Sequence, residues 1–107
     1  MAYYTNKKGN KVELTATRHA YSRFFERYRK AFPDKNLTTE DIIPTFDRMF
    51  SKSRRVKKFN RWEKARLKKH GKDSMFFRTN GLTFVVQNAT IRTVEISDKD
   101  KRYLNKM

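Results

Sequence analysis

Ser74-Met75-Phe76-Phe77-Arg78-Thr79-Asn80-Gly81-Leu82-Thr83-Phe84-Val85-Val86-Gln87 decides the fold. Two β-prone runs flank Asn80-Gly81, and Asn-Gly supplies the positive φ angles that a type I′ hairpin turn requires. A two-residue loop there pairs Thr79 with Leu82, Phe77 with Phe84 and Met75 with Val86. These six residues share one largely apolar face, the expected core face. Phe76, Arg78, Thr83 and Val85 take the other. A second turn near Asn88-Ala89-Thr90 leads into a third strand over 91–96. With Val94 and Ile96 in the core, Thr93 and Glu95 join Arg78 on the opposite face. A two-residue second loop would reverse that assignment, because one step of register flips every side chain.

Upstream of the meander the period changes. Ala20, Phe24, Tyr28 and Ala31 recur at helical spacing, which predicts a helix from Arg18 to Phe32. Thr17 is placed to cap it and Pro33 to stop it. Ile42, Ile43, Phe46, Met49 and Phe50 predict a second helix over about 39–51, with Thr38 and Asp41 as a capping box and Pro44 in an early turn. Residues 1–11 read as a ragged start, with a short extended lead-in over 12–15. Residues 98–107 read as a short, charged C-terminal helix. The expected fold is one α+β domain over 1–107. Two N-terminal helices pack on an antiparallel sheet of three to four strands ending in a meander, and the sheet's second face is open, polar and basic.

Between helices and meander, residues 52–72 carry eleven Lys or Arg and one acid, Glu63. The expected form is irregular or strand-like to about 61, then a helix over about 62–69 ended by Gly71. This segment holds much of an excess of 27 Lys and Arg over 11 Asp and Glu, a net +16 on 107 residues. Such a charge strains the compact state and favours a polyanionic partner, nucleic acid first. Arg54, Arg55, Lys57, Lys58, Arg61, Lys64, Arg66, Lys68 and Lys69 are the candidate phosphate contacts. Trp62 is a candidate base-stacking residue, and Phe59 could stack a base or plug the core.

Fifteen aromatics (nine Phe, five Tyr, one Trp) can build a core, which argues against wholesale disorder. There is no Cys, which removes disulfide, thiolate and Cys-based metal chemistry. No run of about 18 apolar residues and no signal peptide is visible, so a cytoplasmic protein without a membrane partner is expected. Acids are too few and scattered for a two-metal nuclease, so no metal or cofactor is expected.

RNA cleavage by the 2′-hydroxyl needs only proton transfer and charge stabilisation. His19, Arg23 and Arg27, at i, i+4 and i+8, line one stripe of the first helix. The positive end of the helix dipole and the surrounding cations disfavour imidazolium at His19, which suits a base.

Thr17-Arg18-His19-Ala20-Tyr21-Ser22-Arg23-Phe24-Phe25-Glu26-Arg27 resembles the H-A-x-x-R-x-x-x-R opening helix of small bacterial and phage RNase-like proteins. Phe76–Val86 and Thr90-Ile91-Arg92-Thr93-Val94 resemble their closing meander, with its I-x-T-V strand. The pattern is similar to the barnase/colicin/RelE-like ribonuclease superfamily, especially colicin D-like members. It covers about two-thirds of the chain, through short motifs. The long basic segment departs from it.

The resemblance implies metal-independent cleavage of RNA (tRNA, mRNA or ribosome-associated) that leaves a 2′,3′-cyclic phosphate. His19 matches the position for proton transfer, and Arg78 and Thr93 match positions that contact the phosphate. Arg23 matches the helix Arg, in a catalytic or a structural role. A toxin of this kind implies an acidic antitoxin or inhibitor protein as a further partner. Two rivals stand beside the endoribonuclease reading. One is a non-catalytic nucleic-acid- or ribosome-binding module. The other is a phage-type accessory protein that docks on an acidic partner to block a host enzyme.

Overall fold

The computed structural model describes residues 2–59, 61–71, 73–79 and 81–96. The expected C-terminal helix, Asn80 and the side chain of Trp62 lie outside the described residues. The order is β1 (Tyr3–Thr5), β2 (Lys11–Glu13), β3 (Thr15–Ala16), α1 (Arg18–Ala31), a 3-10 turn (Thr39–Asp41), α2 (Ile42–Lys52), β4 (Arg54–Arg55), α3 (Arg61–His70), β5 (Met75–Thr79), β6 (Leu82–Gln87) and β7 (Thr90–Ile96). The class is α+β. The main sheet has five strands in the order β3-β7-β6-β5-β4, and β1 pairs with β2 separately.

The sheet is not wholly antiparallel, as expected from the sequence, but mixed. β3 pairs parallel with the start of β7, Thr15 opposite Thr90 and Ala16 opposite Ile91. At the far edge Arg54 and Arg55 pair with Arg78 and Phe77. Strands of two residues carry no periodic signal, and these are formed by what they lie against. The ragged start is also a hairpin. Asn6 Oδ1 accepts the backbone N–H groups of Lys8 and Asn10 at 3.0 and 2.9 Å, closing the turn between β1 and β2.

The first hairpin has the expected register: Met75–Val86, Phe77–Phe84 and Thr79–Leu82 are opposite one another. Leu82, Phe84, Val86, Val94 and Ile96 join Phe24, Phe46 and Phe50 in the core between the sheet and helices α1 and α2. Thr17 caps α1 through Oγ1, which accepts the Ala20 N–H at 3.0 Å. At α2 the expected capping box is replaced. Thr38 Oγ1 donates to Asp41 Oδ2 at 2.7 Å, a 3-10 turn precedes the helix, and Pro44 lies in its first turn.

The second turn resolves a conflict within the sequence. The loop has two residues, Asn88 and Ala89, both at positive φ (52° and 57°), as a type I′ turn demands. Carried onward, that register would turn Val94 and Ile96 away from the core. A bulge corrects it. Val86 pairs with Ile91 but Val85 pairs with Thr93, so Arg92 is the extra residue. Val94 and Ile96 return to the core face, and Arg92 is left exposed. Ala is costly in the left-handed region, by roughly 1–2 kcal/mol. Ala89→Gly should therefore stabilise the fold by about 0.5–1 kcal/mol after the entropy lost to glycine, read from the urea midpoint.

The sheet's second face is not open, as the sequence reading held. Phe76, Thr83, Val85 and Thr93 are all buried there. The basic segment covers them. Phe59 packs edge-on to Phe76 with ring centroids 5.7 Å apart. Glu63, in the first turn of α3, meets Arg78 of β5 at 2.6 Å. Arg66, one turn on, meets Glu95 of β7 at 3.3 Å. Helix α3 thus crosses the face from β5 towards β7. Two acids, Glu63 and Glu95, let so basic a helix lie on the sheet.

Candidate nucleic-acid interface

The capping threonine positions the site. While Thr17 Oγ1 accepts from Ala20, it donates to the carbonyl of Arg92 at 3.2 Å, and the Thr17 N–H donates to the Ile91 carbonyl at 3.2 Å. The start of α1 is thereby fixed against the bulge of β7. His19, two residues on, stands beside Arg92 and Thr93, and α3 closes the opposite side. The result is an open cavity of about 600 Å³ lined by His19, Arg23 and Arg27 of α1, Arg92, Thr93 and Glu95 of β7, and Arg66 and Lys69 of α3.

Five of these eight residues are cations and one is a carboxylate. On the α1 wall, Arg23 Nε donates to His19 Nε2 at 3.4 Å, and Arg23 Nη1 meets Glu26 Oε2 at 2.9 Å. Arg27 meets the same carboxylate oxygen at 3.3 Å. The hydrogen bond from Arg23 first, then the neighbouring charges of Arg23, Arg27 and Lys30, hold the Glu26 carboxyl below the usual carboxylate range against the opposing effect of desolvation. His19 Nε2 is the acceptor of this bond, so Arg23 occupies that nitrogen until its guanidinium turns to another acceptor in the groove. On the facing wall Glu95 steadies Arg66. Thr93 is buried at the floor. Chemically the groove can grip a phosphodiester from two sides and present an imidazole to it.

The expected site residues separate into groups. His19, Arg23 and Thr93, up to 74 positions apart in the sequence, line one cavity. Arg78 does not line it; its guanidinium lies on the fully buried Glu63, under α3. Arg66 and Lys69 join the groove. Arg54, Arg55, Lys57, Lys58, Arg61, Lys64 and Lys68 are exposed outside it, the first two at the opposite edge of the sheet. Phe59 faces Phe76, so it serves as cover for the sheet.

Arg92 and Glu95 were not singled out from the sequence. Arg92 could have been found: a two-residue turn that still leaves Val94 and Ile96 inward requires one extra residue in the strand. Among the described residues, no three His, Asp or Glu side chains converge as metal ligands.

The Glu63–Arg78 pair is asymmetric: Glu63 is inaccessible, whereas the Arg78 side chain is 40% exposed. Removing Arg78 strands a buried carboxylate, whereas removing the Glu63 charge leaves a cation that can reach water. Arg78→Leu should therefore cost about 3 kcal/mol, the lower end for an uncompensated buried charge because Glu63 keeps a further contact. Glu63→Gln should cost less. Paired urea titrations of the two variants check the order.

No protein-family model, curated protein or solved structure matches the chain. No helix among the described residues is long and apolar enough to cross a membrane.

Proposed function

We propose that this protein binds RNA in the groove between α1, β7 and α3 and cleaves it without a metal ion. The observation that carries the reading is the convergence of His19, Arg23 and Thr93 with Arg27, Arg66, Lys69 and Arg92 around one cavity. The motif resemblance of α1 and the meander to colicin D-like ribonucleases supports it.

In the reaction, Arg23 turns from His19 Nε2 to a phosphoryl oxygen, and the 2′-oxygen attacks the adjacent phosphorus as its proton passes to the freed nitrogen. The bond from phosphorus to the 5′-oxygen breaks, and that oxygen takes up a proton from water, whose hydroxide then takes the proton held by the imidazolium. The products are a 2′,3′-cyclic phosphate and a free 5′-hydroxyl. The guanidinium groups of Arg23, Arg66 and Arg92 supply fixed donors for the charge that builds on the phosphoryl oxygens, and the Thr93 hydroxyl supplies a neutral one. Glu95 keeps Arg66 in place on the α3 wall. An acidic inhibitor protein would recognise the same cations.

The test is incubation with a mixed pool of structured and single-stranded RNA in excess EDTA. Fragments ending in cyclic phosphate are expected. RNA that is bound but stays intact would instead establish the non-catalytic nucleic-acid- or ribosome-binding module. RNA neither bound nor cut would leave the accessory protein with an acidic partner.

A further inference from the structure

The groove uses only one flank of α3. Steps of about 100° per residue divide this helix into three sides. Glu63 and Leu67 turn towards the sheet, and Arg66 and Lys69 turn to the groove. Lys64, Lys68 and Arg61 fall within roughly 60° of one another on the remaining side. All three are exposed. None has an ion pair among the described residues.

This stripe is unfavourable for the protein alone. Arg61 with Lys64 and Lys64 with Lys68 are like charges at i, i+3 and i, i+4, an arrangement that destabilises a helix. Arg61 also opens the helix, at the end where the dipole disfavours a cation. From Arg61 to Lys68 the axial rise is about 10 Å. That spans a few phosphates of an extended strand, and the stripe adjoins the groove over the crest of one helix.

Resting on the RNA reading of the groove, we infer that the substrate is an extended single RNA strand that leaves the groove over α3, its phosphates tracked by Arg61, Lys64 and Lys68. The groove explains the preference for one strand. Arg23 and Arg27 approach the bound backbone from the α1 wall, while Arg66 and Lys69 approach from the α3 wall. A paired second strand would occupy one of those flanks. The stripe adds affinity for length without reading sequence, because phosphate contacts carry no base information.

The test uses uncleavable 2′-O-methyl oligouridylates, a trimer and a decamer. Wild type is compared with the triple variant Arg61→Gln/Lys64→Gln/Lys68→Gln. Wild type should bind the decamer more tightly and with a steeper salt dependence. Losing three phosphate contacts should lower that slope by about 2 and weaken decamer binding up to about a hundredfold at 0.1 M salt. Trimer binding should be unchanged, which also reports that the variant is folded.

A decamer slope unaltered by the triple substitution would overturn the track and leave the groove standing. Equal competition by a duplex of the same length would overturn the single-strand preference. Failure of wild type to bind either oligonucleotide would overturn the RNA reading of the groove itself.

Discussion

Replacing Phe84 by Ala should destabilise the protein by about 3–5 kcal/mol, the range for removing a buried Phe side chain. Phe84 is fully buried at the centre of β6. Its ring centroid lies 5.3 Å from those of Phe46 and Phe50, both edge-on, and 6.3 Å from that of Phe24. One side chain thus touches α1 and α2 from the middle of the sheet. Two edge-to-face pairs and one stacked pair add to the energy of burial, and all three are lost together. Against a net stability of about 5–15 kcal/mol for a domain, this is a large share. The readout is the urea midpoint, with the slope unchanged if the transition remains two-state. Phe59→Ala should cost much less, because Phe59 is half-buried and, among the described residues, its ring meets one other aromatic ring, that of Phe76. A fold indifferent to Phe84→Ala would mean that the hairpin face is not the core.

What the sequence made legible, and what it hid, follows from how far each signal reaches. The hairpin was legible because its register is local: Asn80-Gly81 fixes the turn, and alternation over five pairs fixes the faces. Helix α1 was legible because a cap, an apolar stripe and a proline agree within seventeen residues. Strands β3 and β4 were hidden, since two residues have no period and their pairing depends on partners up to 75 positions away.

The covering of the second face was hidden for a different reason. Helix α3 has little apolar surface, and hydrophobic patterning cannot see a helix held by Glu63 on Arg78 and Arg66 on Glu95. That changed the candidate site. An open basic sheet face would have gathered Arg78, Thr93 and Glu95 together. With α3 laid across it, Arg78 goes beneath the helix, while Thr93 and Glu95 meet α1 at the rim. His19 and Arg23 could be chosen from the sequence because a helix places them on one stripe. That they would face Thr93 depends on the bulge at Arg92 and on the Thr17 hydroxyl that holds α1 beside it.

His19→Ala should lower the cleavage rate by roughly 10²–10⁴-fold, the usual contribution of a positioned proton-transfer group. RNA affinity should change by no more than about twofold, since the lost side chain carries no fixed charge and five cations of the groove remain. Stability should be nearly unchanged, because His19 is exposed and the hydrogen bond its side chain takes from Arg23 is replaceable by water.

Arg23→Gln should behave differently. It removes a phosphate-directed charge as well as the Nε donor on His19, so affinity, salt dependence and rate should all fall. The contrast separates the two roles: a pure binding site would show both variants weakened only in affinity, or His19→Ala not at all. Single-turnover cleavage at saturating protein isolates the chemical step, and a filter-binding titration on an uncleavable strand isolates affinity. Turnover of His19→Ala equal to wild type would remove the imidazole from the mechanism and leave the arginines to hold the strand for another group.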